Sequence, residues 1–295
     1  MRVWLLVIVM MLCGCGQHRS VQSSAATSHI QQNAVAEMAT VPARRIVSLA
    51  PGITELIYAV GAEPFLVATV EYSDYPAEAK KIPRVGDAFR IDMEKLLALK
   101  PDLVLAWGSG TAATTIEQIK SLGVRVESLD VKHISEVSKS LIKIGQMTGL
   151  QRNGTQAADI FDREMSALRG LYQDRSPIDV FVEVNARPLY TVNGQHILSE
   201  VLTLCGGRNV FADLNQLAPI VGTEAVLKAN PDVILSADDK LEQLQQDWQQ
   251  WPQIKAVKKR HLYVVSPDTT TRATPRLLQG AKEVCQALDK ARELG

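Results

Sequence analysis

Residues 92–110 read DMEKLLALKPDLVLAWGSG: a short amphipathic run, a proline, an apolar run and a glycine-rich turn. Pro101 ends a helix and admits a strand after it, so the stretch reads helix, strand, turn. It also has a second copy. MEKLLALKPDLVLA (93–106) matches TEAVLKANPDVILS (223–236), pairing Glu94 with Glu224, Pro101 with Pro231 and Asp102 with Asp232. Upstream, TELIYAVGA (54–62) matches SEVLTLCGG (199–207). Two correspondences in the same order indicate two related lobes with different loop lengths.

Working outward, each lobe alternates strands with short helices. In the first, RIVSLA, FLVAT, DLVLAW and VRVESLD read as strands, with helices at TELIYAVGA (ended by Gly61), MEKLLALK and TIEQIKSLG. In the second, DVFVEV, NVFAD, DVILSA and LYVVS are the strands, and TPRLLQGAKEVCQALDKAREL is a closing helix. This alternation predicts an α/β fold of two Rossmann-like lobes, each with a parallel sheet covered on both faces. Ala157, Phe161, Met165 and Leu168 share one helical face between the lobes, which predicts one long helix or two consecutive ones without a Gly/Ser hinge. The predicted boundaries are a first lobe at 42–133, a helical linker at 134–174 and a second lobe at 175–295. Ligands of open α/β sheets bind beyond the carboxyl ends of the strands, so the cleft between lobes is the expected site.

The chain carries 32 Lys+Arg against 32 Asp+Glu, which leaves no net field to attract nucleic acid. Its first residues indicate export. Arg2 precedes the apolar run Val3 to Leu12, too short to span a bilayer, and Leu12-Cys13-Gly14-Cys15 resembles a bacterial lipobox with Cys15 as the lipidated residue. An ordinary cleaved signal is the alternative. Residues 16–41, rich in Ser, Gln and Ala, read as a tether. Removing Cys13 and Cys15 leaves Cys205 and Cys285, which in an oxidising compartment form either one disulfide or two buried thiols.

Gly108-Ser109-Gly110-Thr111-Ala112-Ala113 fits the dinucleotide pattern G-x-G-x-x-[GA], with Asp130 downstream. The loop follows the third strand of its lobe rather than the first, and small residues at a strand-to-helix turn need only tight packing to explain them. An oxidoreductase is therefore the different-class alternative rather than the favoured reading. Hydrolase signatures G-x-S-x-G and H-E-x-x-H are absent, and His133, His196 and His261 lie far apart, so neither catalysis nor a metal site is indicated.

RIVSLAPGITELIYAVGA, EYSDYPAEAKKIPRVG, LLALKPDLVLAWGSG, VLTLCGGRNVFAD and TRATPRLLQGAKEVCQALD together resemble the BtuF-type cobalamin-binding proteins of ABC importers, from about Arg45 to Leu288. The resemblance implies a class III periplasmic binding protein: two lobes joined by a rigid long helix, a disulfide inside the second lobe, and cobalamin as transported ligand rather than cofactor. It implies that a monomer binds a corrinoid and delivers it to an inner-membrane permease dimer. Pro51, Tyr72, Trp107 and Tyr190 fall on positions that touch the corrin, Phe89 adjoins another, and Asp268 and Arg272 contact it from the second lobe. Glu94 and Glu224 match carboxylates that dock onto permease arginines; the plainer reading is that each offsets a helix dipole. Ala88, Ala218 and Thr269 stand where relatives carry tryptophan. Haem is the rival ligand, with Tyr72, Tyr190 or His196 as axial ligand. Ferric siderophores, held by Arg84, Arg187 or Arg272, come next.

Overall fold

The computed structural model describes residues 41–87, 89–238 and 240–294. The signal, Cys15, the tether before Val41, and Ala88 lie outside the described residues. No described helix is long and apolar enough to cross a membrane.

The first lobe runs β1 (Ile46–Ser48), α1 (Pro51–Val60), β2 (Leu66–Ala68), α2 (Met93–Ala98), β3 (Leu103–Trp107), α3 (Ala113–Ser121) and β4 (Val126–Leu129). Two linker helices follow, α4 (Ile134–Thr148) and α5 (Gln151–Tyr172). The second lobe comprises β5 (Ile178–Glu183), the hairpin β6 (Asn185–Ala186) and β7 (Leu189–Tyr190), α6 (Ile197–Leu204), β8 (Gly207–Asn209), α7 (Thr223–Ala229) and β9 (Val233–Ser236). It closes with α8 (Leu241–Trp248), α9 (Lys255–Lys258), β10 (Leu262–Val264), α10 (Pro267–Thr270) and α11 (Leu277–Glu293).

The sheets are ordered β2-β1-β3-β4 and β10-β9-β5-β8, and every pairing within them is parallel. Counting strands within each lobe, both orders are second, first, third, fourth, so the internal repeat is a repeat of topology. The local devices repeat as well. Asp102 accepts from the backbone N–H groups of Arg44 and Arg45 at 2.8 and 3.0 Å, and Asp232 accepts from that of Asp179 at 3.2 Å. Each aspartate ties the start of the third strand to the start of the first. Lys100 and Asn230, before the paired prolines, both adopt left-handed φ, 45° and 46°.

Alternate residues along the central strands face opposite ways. Ile46, Leu103 and Leu105 of the first sheet, with Val180, Val182, Val233 and Leu235 of the second, enter one continuous core with side chains of α1, α4, α5, α6 and α11. Val47, Val104 and Ala106 turn the other way onto Leu96 and Ile119, and Phe181 and Ile234 onto Val226, Leu244 and Trp248. A helical layer common to both sheets joins the lobes through one hydrophobic core. Cys205, at the end of α6, is bonded to Cys285 of α11 across a separation of 80 residues.

The linker takes the second of its two expected forms, consecutive helices rather than the single long helix of the resemblance: Gly149 closes α4 with φ 73°, and α5 crosses back where a Cβ on Gly154 would lie 2.6 Å from the Leu141 carbonyl. Two element boundaries need correction. The strand expected at 209–213 is shifted to Gly207–Asn209, because the Asn209 amide accepts from Phe211 N–H at 2.9 Å and donates to the Val192 carbonyl at 2.8 Å, turning the chain. The last helix starts at Leu277 rather than Thr274, because Thr274 closes the turn before it, its hydroxyl accepting from Arg276 N–H at 3.3 Å and its carbonyl from Leu277 N–H at 2.9 Å.

Candidate functional site

The carboxyl ends of the first sheet carry Pro51 after β1, Tyr72 after β2 and Trp107 at the end of β3. Pro51 is preorganised for the first position of α1 by its fixed φ. Behind it the hydroxyls of Thr54 and Ser48 are 2.9 Å apart, and those of Thr54 and Ser73 3.3 Å, which ties β1, α1 and the Tyr72 loop together inside the protein.

The Tyr72 loop is folded by Arg84, whose guanidinium donates to the carbonyls of Ala79 and Ile82, both at 3.0 Å, and of Ser73 at 2.9 Å. Tyr72 is held at φ 63° and stands 74% exposed. For a bulky side chain that backbone costs about 1–3 kcal/mol, sustained here by the clamp around it. Phe89, 97% exposed, sits on an adjacent loop joined to this one by the Glu71 N–H to Gly86 carbonyl bond of 2.8 Å.

Trp107 is half exposed. A Cβ on Gly110 would fall 1.8 Å from its indole, and one on Gly108 would fall 2.9 Å from the Asp130 side chain. The glycines of the dinucleotide-like pattern are thus spent on seating an indole and on close approach to Asp130, which also pairs with Lys132 at 2.7 Å.

A cavity of about 260 Å³ lies between the lobes, lined by Pro51, Leu56, Trp107 and Val131 from the first and by Thr271, Arg272 and Ala273 from the second. It is smaller than the roughly 300–1,000 Å³ that encloses drug-sized ligands, so a macrocycle would rest on this floor and meet the rim. Of the predicted ligand residues, Pro51, Trp107 and Arg272 line the cavity together, whereas Tyr72, Phe89, Tyr190 and Asp268 do not. Asp268 reaches Arg272 at 2.8 Å. Tyr190 is half-buried on β7, bridged to Ile220.

Sequence reasoning missed Glu55. Its carboxylate comes from α1 of the first lobe and its side chain is only 2% exposed, yet every polar partner is in the second lobe. Oε1 accepts from Arg272 at 3.0 Å and Arg276 at 3.2 Å, and Oε2 accepts from the Thr274 hydroxyl at 2.8 Å. Arg276 lies over the Tyr75 ring of the first lobe, 3.9 Å from its centroid. The partners are 217 to 221 residues from Glu55, beyond any local pattern.

The residues suggested for other ligands are placed elsewhere. His196 caps α6, its Nδ1 accepting from Leu198 N–H at 3.1 Å, and lines a separate surface cavity with His133, Arg169 and Glu200. Burial pushes its pKa down to about 4. Arg84 is committed to its loop, and Arg187 pairs with Asp247 at 2.7 Å, leaving Arg272 as the siderophore candidate in the cleft. Thr269 is buried within the second lobe, its carbonyl oxygen so close to α11 that a Cβ on Gly280 would lie 2.3 Å from it. Ala218 lies on an exposed segment with Leu214, Leu217 and Ile220. Among the described residues no group of three His, Cys, Asp or Glu side chains could hold a metal ion. Glu94 and Glu224 are both exposed in the first turns of α2 and α7.

The chain is similar to a vitamin B12-binding protein of Yersinia pestis (strain Pestoides F), 36% identical over 248 residues, covering 83% of this chain and 86% of that protein. It superimposes on the periplasmic vitamin B12 binding protein BtuF of Vibrio cholerae with a TM-score of 0.79 and 34% identity, over 85% of this chain and 99% of that one. The periplasmic haem-binding protein HutB of Vibrio cholerae shares the fold, with a TM-score of 0.73 and 21% identity over 83% and 98% of the two chains. A family profile described as periplasmic binding protein matches residues 46–269, the span that holds both sheets, the linker helices and the first-lobe wall of the cleft, and the chain belongs to that family.

Proposed function

We propose that this protein captures cobalamin or a related corrinoid in the interlobe cleft and hands it to an ABC importer, with no catalytic step. The observation that carries the reading is the 36% identity, over most of both chains, to a vitamin B12-binding protein. The cleft chemistry suits it: a corrin has broad apolar faces fringed with amides, and proline and indole faces supply area while guanidinium donors fix orientation. Pro51, Trp107 and Arg272 form the floor, and Tyr72, Phe89, Tyr190 and Asp268 serve as rim contacts. Of the haem axial candidates, His196 lies in a separate cavity, which leaves Tyr72 and Tyr190 to that alternative.

Calorimetric titration of the purified protein with cyanocobalamin, and with haemin in parallel, tests this. Sub-micromolar cobalamin binding with weak haemin binding is the expected result; tight haemin binding without cobalamin heat would overturn it.

The finer assignments belong to the same reading. The chain acts as a periplasmic monomer, anchored through lipidated Cys15 after signal removal, with the Cys205–Cys285 disulfide formed on export. Glu94 and Glu224 sit at equivalent exposed positions in the two lobes and dock onto the two subunits of a permease dimer. Replacing both by alanine should abolish transport while cobalamin affinity stays unchanged; a loss of affinity, or normal transport, contradicts the docking role.

A further inference from the structure

Glu55 is a buried carboxylate whose charge is answered wholly across the lobe boundary. Taking such a group out of water is costly unless partners replace its hydration, and a cluster half dismantled is worse than none. Here the partners are complete. Two guanidiniums, Arg272 and Arg276, meet two carboxylates, Glu55 and Asp268, and the Thr274 hydroxyl orients the remaining Glu55 oxygen. Arg276 is held from two sides, by Glu55 and by the Tyr75 ring. The cluster lies at the cavity wall, where Arg272 is the charged side chain facing the space beside Pro51 and Trp107.

We infer that Glu55 is a positioning residue for ligand capture: it fixes the Arg272 guanidinium in the cleft and latches segment 271–276 of the second lobe onto α1 of the first. A guanidinium has five N–H donors in a rigid fork. Glu55 and Asp268 each take one donor from the two terminal nitrogens and so set the plane in which the rest meet a ligand. Without Glu55 the long side chain regains its rotamers, the second guanidinium loses its anion, and the lobe boundary loses its polar fastening. Corrinoid affinity as a readout rests on the proposed function; the latch itself does not.

The test is a double-mutant cycle. Cyanocobalamin is titrated calorimetrically into the wild type, Glu55→Gln, Arg272→Ala and the double variant, and amide hydrogen exchange is followed in each ligand-free protein. Glu55→Gln should weaken binding by about tenfold or more, the scale of one charge-assisted hydrogen bond. Adding it to Arg272→Ala should cost nothing further, because its effect runs through that guanidinium. Segments 51–56 and 267–276 should exchange faster in ligand-free Glu55→Gln while the strands stay protected. Additive losses, or unchanged affinity in a folded Glu55→Gln, overturn the positioning role. If Glu55→Gln does not fold, Thr274→Val removes the donor to Oε2 alone, and its smaller loss of affinity must likewise vanish beside Arg272→Ala, or the inference fails. A wild type that takes up no cobalamin refutes the corrinoid reading; the exchange measurement then decides the latch, and unchanged protection rejects it.

Discussion

The two lobes are alike in their scaffolds and unlike at their rims. Both sheets have the same strand order, both third strands start at an aspartate tied to the first strand, and both helices before them end on a left-handed residue ahead of a proline. In the loops after the strands the resemblance stops. The first lobe presents exposed aromatic side chains, Tyr72, Tyr75, Phe89 and Trp107. The second presents the ion cluster of Asp268, Arg272 and Arg276, with exposed aliphatic Leu214, Leu217 and Ile220 on the segment after β8. The difference teaches that duplication kept what builds a sheet, while the loops at the strand ends diverged, one lobe toward area and the other toward directed polar contacts.

The largest expected asymmetry is covalent. The second lobe is cross-linked over 80 residues, and the first has no cysteine among its described residues. Reducing the disulfide, or replacing Cys205 and Cys285 by alanine, should cost about 4–5 kcal/mol by the loop-closure argument. Hydrogen exchange should register the loss first in α6 and α11. Equal loosening of both lobes would show that the common helical core, rather than the bond, holds the second lobe together.

A smaller asymmetry is set by pH. His196 belongs to the second lobe, and its folded pKa of about 4 lies below the ordinary 6.5 because burial disfavours the imidazolium. The unfolded chain therefore binds the proton more readily. Stability from this group is complete above about pH 6.5 and is lost as pH falls toward about 4, by about 3 kcal/mol at most. Unfolding free energies measured across that range should fall, and His196→Asn, which keeps a capping acceptor, should flatten the slope. A slope unaffected by the substitution would assign the acid loss to other groups.

The smallest contrast tests the repeat itself. Lys100 carries left-handed backbone at a cost of about 1 kcal/mol, whereas Asn230 tolerates it and also accepts from Lys255 N–H at 2.9 Å. Lys100→Gly should raise the melting temperature slightly, and Asn230→Lys should lower it by more. Equal and opposite shifts would mean that the Asn230 hydrogen bond contributes nothing.

These contrasts also mark what the sequence disclosed. The repeat was legible because Glu, Pro and Asp recur at fixed places in MEKLLALKPDLVLA and TEAVLKANPDVILS, and Gly61 does end its helix, with φ 77°. Pro51, Trp107 and Arg272 are picked out by the resemblance to the cobalamin-binding proteins, and they share a cavity. Glu55 was illegible, since its neighbours in TELIYAVGA mark a helix and its partners lie in another lobe. The break between α4 and α5 is one of two forms the sequence allows, and the contact that favours it, Gly145 against Gly154, arises only after the chain folds back. Tyr72 shows a third limit, because nothing in its own type announces left-handed backbone; the Arg84 clamp imposes it.

That clamp has a consequence for tailoring. Arg84 grips the 73–82 loop through main-chain carbonyls, groups that every sequence supplies. The outline of the loop is accordingly set without help from the side chain displayed just ahead of it at Tyr72, whereas Tyr75 is tied to Arg276. Such a platform lets the Tyr72 ring be exchanged while the loop keeps its shape, so a lineage or a designer could vary that surface by changing one outward residue.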